Sequence, residues 1–198
     1  QCLNGAIIAS KDGYHFSKQT TSTLESSTTT LFLEQYKQLD VDVLVERAGS
    51  GKIDKDEQIY IQLLDDEKEN YQTILYPDTK KLNLISGNYK AIVYLISNYP
   101  EGLIIKEQTI ETCFDVPKSG FVSGFIQQKE KKCIKTVIPA TTVNKIISGY
   151  SEFNFEITES DLNNNKILFH VPYIGKPTKL SDLSRAFENK NVPKPEFK

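Results

Sequence analysis

Hydrophobic and polar residues alternate along much of this chain with a period of two. Val41, Val43 and Val45 are separated by polar or exposed-type residues, and Ile59, Ile61 and Leu63 repeat the pattern. Such alternation is the signature of a half-buried strand, since successive side chains point to opposite faces. Phe153, Phe155 and Ile157 share one strand face, and Ile167, Phe169 and Val171 share another. The run Tyr89-Lys90-Ala91-Ile92-Val93-Tyr94-Leu95-Ile96 is apolar on both faces, as a strand in the middle of a sheet would be.

Turn chemistry separates these runs. Gly49-Ser50-Gly51, Asp65-Asp66-Glu67-Lys68-Glu69-Asn70, Pro77-Asp78, Ser86-Gly87-Asn88 and Asn163-Asn164-Asn165 all carry residues that favour chain reversal. Short strands with turns every 8–12 residues predict a mostly-β protein, an Ig-like β-sandwich. Two short helices are expected. Residues 140–148 have Pro139 at one end and Gly149 just past the other, the asymmetry of a helix start and stop. Residues 181–189 have Ser181 as a cap, with Leu183 and Phe187 four apart on one face.

The organisation divides into three regions. Residues 1–36 form a low-charge N-terminal arm. It holds a Ser/Thr-rich tract, then the apolar burst Leu31-Phe32-Leu33. By composition the tract is a linker, but β-branched Thr also suits a strand, so the arm is a candidate donor strand. Residues 37–116 form a β-sandwich domain. Residues 117–198 continue as β structure with short helices and a C-terminal tail, where Pro193 and Pro195 hold the chain extended.

The stretch from Ile59 to Leu63, followed by Leu84-Ile85-Ser86-Gly87-Asn88-Tyr89 and the strand to Leu95, resembles the transthyretin-like or carboxypeptidase-regulatory-like sandwich. In that family a Leu-x-x-Gly-x-Tyr turn leads into a Val-rich strand. The resemblance covers about a fifth of the chain. Residues 71–190 also look like exported, membrane-linked surface proteins of small-genomed archaea. The carrying features are Tyr76-Pro77, Ser86-Gly87-Asn88-Tyr89, Cys113-Phe114-Asp115-Val116-Pro117-Lys118-Ser119-Gly120, Cys133 and the helix at Asp182-Leu183. Those proteins usually have a glycine-rich turn after their helix, and this chain has only Gly149 there. Neither resemblance supplies catalytic residues.

Three cysteines bear on location: Cys2, Cys113 and Cys133. Cys113 ends one extended stretch, Cys133 begins another, and Pro117-Lys118-Ser119-Gly120 lies between as a turn. A Cys113–Cys133 disulfide is expected; two free thiols in a cytosolic protein are the alternative. Closing a loop of this size stabilises by roughly 3 kcal/mol in the chain-entropy picture. Cys2 is left as an attachment point or an unpaired thiol. The chain begins at Gln1 and contains no Met, compatible with a removed leader or with a trimmed chain.

Charge is balanced, with 24 Lys and Arg against 26 Asp and Glu, and no basic stripe points to nucleic acid. No apolar run reaches the length of a transmembrane helix. Ala48-Gly49-Ser50-Gly51-Lys52-Ile53 fails as a phosphate-binding loop, because Val45 stands where the first Gly belongs and Ile53 replaces Ser or Thr. The two histidines, His15 and His170, lack neighbouring ligands for zinc, and no nucleophile elbow exists. His170 reads as a sheet residue facing solvent or a partner. Asp54-Lys55-Asp56-Glu57 and Asp65-Asp66-Glu67 read as solvated turns, with calcium as the alternative. No Asn-x-Ser/Thr sequon is present.

No catalytic residue, cofactor or metal ligand is therefore expected. The chain reads as an extracellular or cell-surface structural protein. It would self-associate into a homopolymer by N-terminal strand addition, with contact through Thr28, Thr29, Thr30, Leu31, Phe32 and Leu33. A monomeric, surface-anchored adhesin or ligand-binding module is the second expectation.

Overall fold

The computed structural model describes residues 5–22, 28–49, 51–117, 129–188 and 192–198. The described residues form twelve strands: β1 (Gly5–Ala9), β2 (Ser17–Thr21), β3 (Lys37–Glu46), β4 (Glu57–Asp65), β5 (Asn70–Tyr76), β6 (Lys81–Leu84), β7 (Gly87–Ile105), β8 (Gln108–Pro117), β9 (Lys129–Ile138), β10 (Thr141–Ile157), β11 (Lys166–Pro172) and β12 (Glu196–Phe197). Among the described residues helix is confined to short pieces, the longest being α1 (Leu180–Ser184), continued by a 3-10 turn at Arg185–Phe187.

Two four-stranded sheets enclose one core. Their orders are β10-β7-β4-β5 and β12-β11-β3-β6. All pairings in the first are antiparallel, whereas β11 runs parallel to β3 in the second. The alternation that marks the strands in the sequence is the alternation that fills the core. Val41, Val43 and Val45 from β3, Ile59, Ile61 and Leu63 from β4, and Ile167, Phe169 and Val171 from β11 are all buried in one cluster. Early and late strands share the same sheets, so the sandwich draws on both sides of residue 117.

The expected helix at 140–148 is not there. Residues 141–148 lie in β10, paired antiparallel with β7. Thr141, Thr142, Val143, Ile146 and Ile147 are β-branched, and the ladder to β7 outweighs the weak local signal of a flanking Pro and Gly. Gly149 is not a helix stop but the far side of a register shift after Ile147. A side chain there would overlap the Pro172 carbonyl of the opposing sheet. The expected helix at 181–189 does form, over Leu180–Ser184 and Arg185–Phe187, with Leu183 packed near Leu103, Ile105 and Ile146.

β7 begins at Gly87 through a local device. The buried Tyr89 hydroxyl donates to the Ile85 carbonyl at 3.1 Å and accepts from Asn70 Nδ2 at 2.7 Å. A tyrosine hydrogen-bonding back to the chain a few residues upstream is the tyrosine corner of sandwich proteins. Gly87 is required because a Cβ there would collide with the buried Asp65 carboxylate.

None of the described helices is long and apolar enough to cross a membrane.

Candidate interaction surface

β7 outruns the sandwich. It pairs with β4 only as far as Ser97, opposite Glu57, and beyond that point its partner is β10 alone. After Lys106 and Glu107 the same course continues as β8, and β9 returns beside it from Lys129 to Ile138. The result is a two-stranded projecting ribbon, interrupted by an irregularity at residues 99–102 and by the break between β7 and β8. At its root, Leu103, Ile105 and Ile146 form a small second core under α1. Beyond the root, β8 and β9 pair only with each other among the described residues.

Opposed residues of an antiparallel pair share a face. The register therefore sorts the ribbon into two unlike sides. One carries the pairs Glu111 with Lys135, Cys113 with Cys133, and Asp115 with Lys131. Cys113 and Cys133 are disulfide-bonded directly across the ladder, with Cα atoms 4.0 Å apart. The Glu111 carboxylate lies beside them, but bonded sulfurs are not thiolate ligands, so this group is no metal centre. The other side carries Ile110, Phe114, Val116, Ile134 and Ile138 together with Lys132 and Glu130, with Ile134 56% exposed. An exposed apolar stripe on a projecting element marks an interaction surface.

A second projection stands at the opposite end. β1 and β2 form their own hairpin, and residues 34–36 run beside 13–15: His15 N donates to Glu34 O, and Tyr36 N donates to Gly13 O. Lys68, in the β4–β5 turn, reaches the Glu34 carboxylate at 2.7 Å and the Ser86 carbonyl at 2.8 Å. Lys18 pairs with Glu69 in the same turn. The N-terminal hairpin is thus tied to the β4–β5 turn, whereas the ribbon leaves from the Glu57 end of β4.

Of the six expected contact residues, none lies in a strand of the described structure. Thr28, Thr29, Thr30, Leu31, Phe32 and Leu33 have no assigned secondary structure and lead into the Gln35 bridge with Tyr14. Phe32 is 82% exposed. It borders a hollow of about 360 Å³ whose walls include Phe16, Lys18, Glu34 and Glu67. Part of the Ser/Thr tract (23–27), Cys2 and the 118–120 turn lie outside the described residues.

The remaining candidates have structural partners. His170 is not solvent-facing: it is buried, with Nδ1 2.7 Å from a Glu46 oxygen and Nε2 3.4 Å from one of Glu196. Its Nδ1 contact ties β11 to β3, while the buried Nε2 makes no hydrogen bond. The buried His15 contacts the Tyr36 hydroxyl at 3.0 Å. Glu57 is spent on Arg47, which grips both its oxygens at 2.6 and 3.0 Å and also binds Asp54 and the Lys52 carbonyl. The bond to Glu57 raises the Arg47 pKa above its ordinary value. Asp65 takes the backbone N–H groups of Glu67 and Lys68 at 3.1 Å. Both acidic loops are therefore turns built around their own carboxylates. The connection through Gly49 and Gly51 crosses from one sheet to the other, and Val45 N donates to Gly51 O.

A cleft of about 450 Å³ lies between Asp54, Glu101, Tyr99 and Tyr173. Its rings are already covered: Lys176 sits over Tyr99 at 5.6 Å and Arg47 over Tyr173 at 5.0 Å.

Compared with protein-family models, curated proteins and solved structures, the chain matches none. Function has to be argued from the two projections. The N-terminal one was legible as an exposed arm. The ribbon's apolar stripe was missed, although the alternation Ile110, Thr112, Phe114, Val116 is present in the sequence.

Proposed function

We propose that this protein is a structural, non-catalytic subunit of an extracellular filament or cell-surface assembly, joined to its neighbours by N-terminal β-strand addition. The observation that carries the reading is polar: two hairpins, with edges unpaired among the described residues, project from opposite ends of one sandwich. A molecule whose two unlike ends each offer unpaired backbone is suited to a heterologous, head-to-tail contact. Such contacts propagate as filaments when the rotation does not close. The exposed segment around Phe32 is the donor.

An oxidising location is supported by the exposed disulfide, which would not persist in a reducing compartment. The transthyretin-like reading of the sandwich is supported by the Leu84-x-x-Gly87-x-Tyr89 turn and its tyrosine corner. The non-catalytic reading is supported by the way both histidines and Glu57 are engaged in holding strands and loops.

Deleting residues 1–36 tests the assembly. No residue of the main core comes from that segment, so the truncated chain should fold. Under negative stain the full chain should form filaments and the truncated chain isolated particles. Unchanged filaments from the truncated chain would remove the arm as the link. Isolated particles from the full chain would favour a monomeric adhesin instead.

A further inference from the structure

The second sheet ends on a very small strand. β12 has two residues, pairs Glu196 with Leu168 and Phe197 with Ile167, and covers the edge of β11. Beside it, Lys198 N donates to Lys166 O at 2.9 Å, and Lys198 O accepts from Lys166 N at 3.0 Å and from Asn165 N at 3.2 Å. Phe197 packs against the main core but is only partly buried. With so little holding it, β12 belongs to the part of the fold that opens at the lowest free energy. One charged contact is then a large share of its hold.

That contact is with His170, which is buried on β11. Its Nδ1 lies 2.7 Å from a Glu46 oxygen on β3. A carboxylate only accepts, so the ring carries its proton on Nδ1. In a neutral ring Nε2 is then a bare lone pair. It is buried without a hydrogen bond, and the Glu196 Oε1 stands 3.4 Å away. Acceptor faces acceptor, which costs free energy in a buried place. A second proton reverses the sign, because Nε2–H then donates towards Glu196 and the ring becomes the cation between two carboxylates.

The charged groups around the ring come from both flanking strands. β3 supplies Glu46, and β12 supplies Glu196, which also holds Lys198 at 3.0 Å. Two residues along β11, Lys166 pairs with Asp42 at 3.4 Å. β10 reaches His170 through the Ser151 hydroxyl, which donates to its backbone carbonyl at 2.8 Å and not to the ring. Lys198 first, and His170 after it, hold the Glu196 carboxyl below its ordinary range, so Glu196 stays charged where imidazole titrates.

We propose that His170 is a proton-operated latch on the C-terminal strand: a protonated ring fastens β12 to β11 through Glu196, and a neutral ring loosens it. Imidazole changes charge between pH 5 and 8, so the hold is firm at the acid end and weakens as pH rises. Opening uncovers the backbone of β11 at Ile167 and Leu168. The pH thereby sets how much unpaired edge the second sheet presents. The latch works within one chain, whether or not copies join.

Hydrogen–deuterium exchange of the full, oxidised chain at pH 5 and pH 8, corrected for the intrinsic pH dependence of exchange, tests the latch. Protection of the Lys166 and Lys198 amides should fall about fivefold from acid to alkaline, the low end of coupling between linked sites. The Ile61 amide, in the ladders of β4 with β5 and β7, should keep its protection. Glu196→Gln, at a half-exposed side chain, turns an amide donor towards the neutral Nε2 and should hold β12 at both pH values. Lys198→Gln removes the other charge on Glu196 and should leave the pH difference in place. Equal protection of Lys166 and Lys198 at the two pH values in the parent would overturn the proposal. So would a difference that persists unchanged in Glu196→Gln, or a loss of protection that Ile61 shares.

Discussion

Cys113 and Cys133 face each other across β8 and β9 and are bonded at 2.06 Å, outside the core that holds the sandwich together. The bond therefore acts on the ribbon and not on the fold as a whole. Replacing both by Ser should leave the denaturant midpoint of the sandwich nearly unchanged. It should also open residues 108–138 to limited proteolysis. A large shift in the midpoint would show that ribbon and sandwich unfold as one unit.

The tyrosine corner should matter to the whole sandwich. Tyr89 is buried, and its hydroxyl serves the Ile85 carbonyl and the Asn70 amide. Tyr89→Phe keeps the ring but strands both partners. A loss of about 1–3 kcal/mol is expected, the usual penalty for leaving buried polar groups unsatisfied. Urea denaturation of both proteins measures it.

The same residue predicts an alkaline transition. Burial pushes the Tyr89 hydroxyl up to about 12, and the hydrogen bond with Glu152 does the same for Tyr150. The folded state then holds protons that the unfolded chain releases from about pH 10. Stability from these groups is complete below pH 10 and falls as pH rises towards 12. A pH series of thermal midpoints should show that decline, and Tyr89→Phe should flatten part of it.

Gly149→Ala should be costly for a steric reason. The added methyl would meet the Pro172 carbonyl, where the edges of the two sheets touch and Ile174 N donates to Ser148 O. Relief requires moving backbone, so a loss of about 3 kcal/mol is expected. A midpoint within experimental error of the parent would mean β10 can shift freely at its irregularity.

Much of the sandwich was readable because its strands are buried on one face only. Val41, Val43 and Val45 alternate in the chain for the same reason that they alternate in the core. Tyr89 to Ile96 read as central, and β7 does lie between β4 and β10. Residues 140–148 misled because Pro139 and Gly149 serve a strand crossing and a close approach, and only the long pairing with β7 decides the backbone. The ribbon was harder. Both its faces are exposed, so burial does not sharpen its pattern, and the disulfide drew attention to its charged side. His170 misled for a different reason: its partners Glu46 and Glu196 are distant in sequence and meet only through β3 and β12.

The central claim is that the two unlike ends join copies of the chain. Sedimentation velocity of the full, oxidised protein over a range of concentrations tests it most directly. The account predicts a mass that rises with concentration through an open-ended series, and a return to monomer when Phe32 is changed to Glu. A single 22.5 kDa species at every concentration would contradict it.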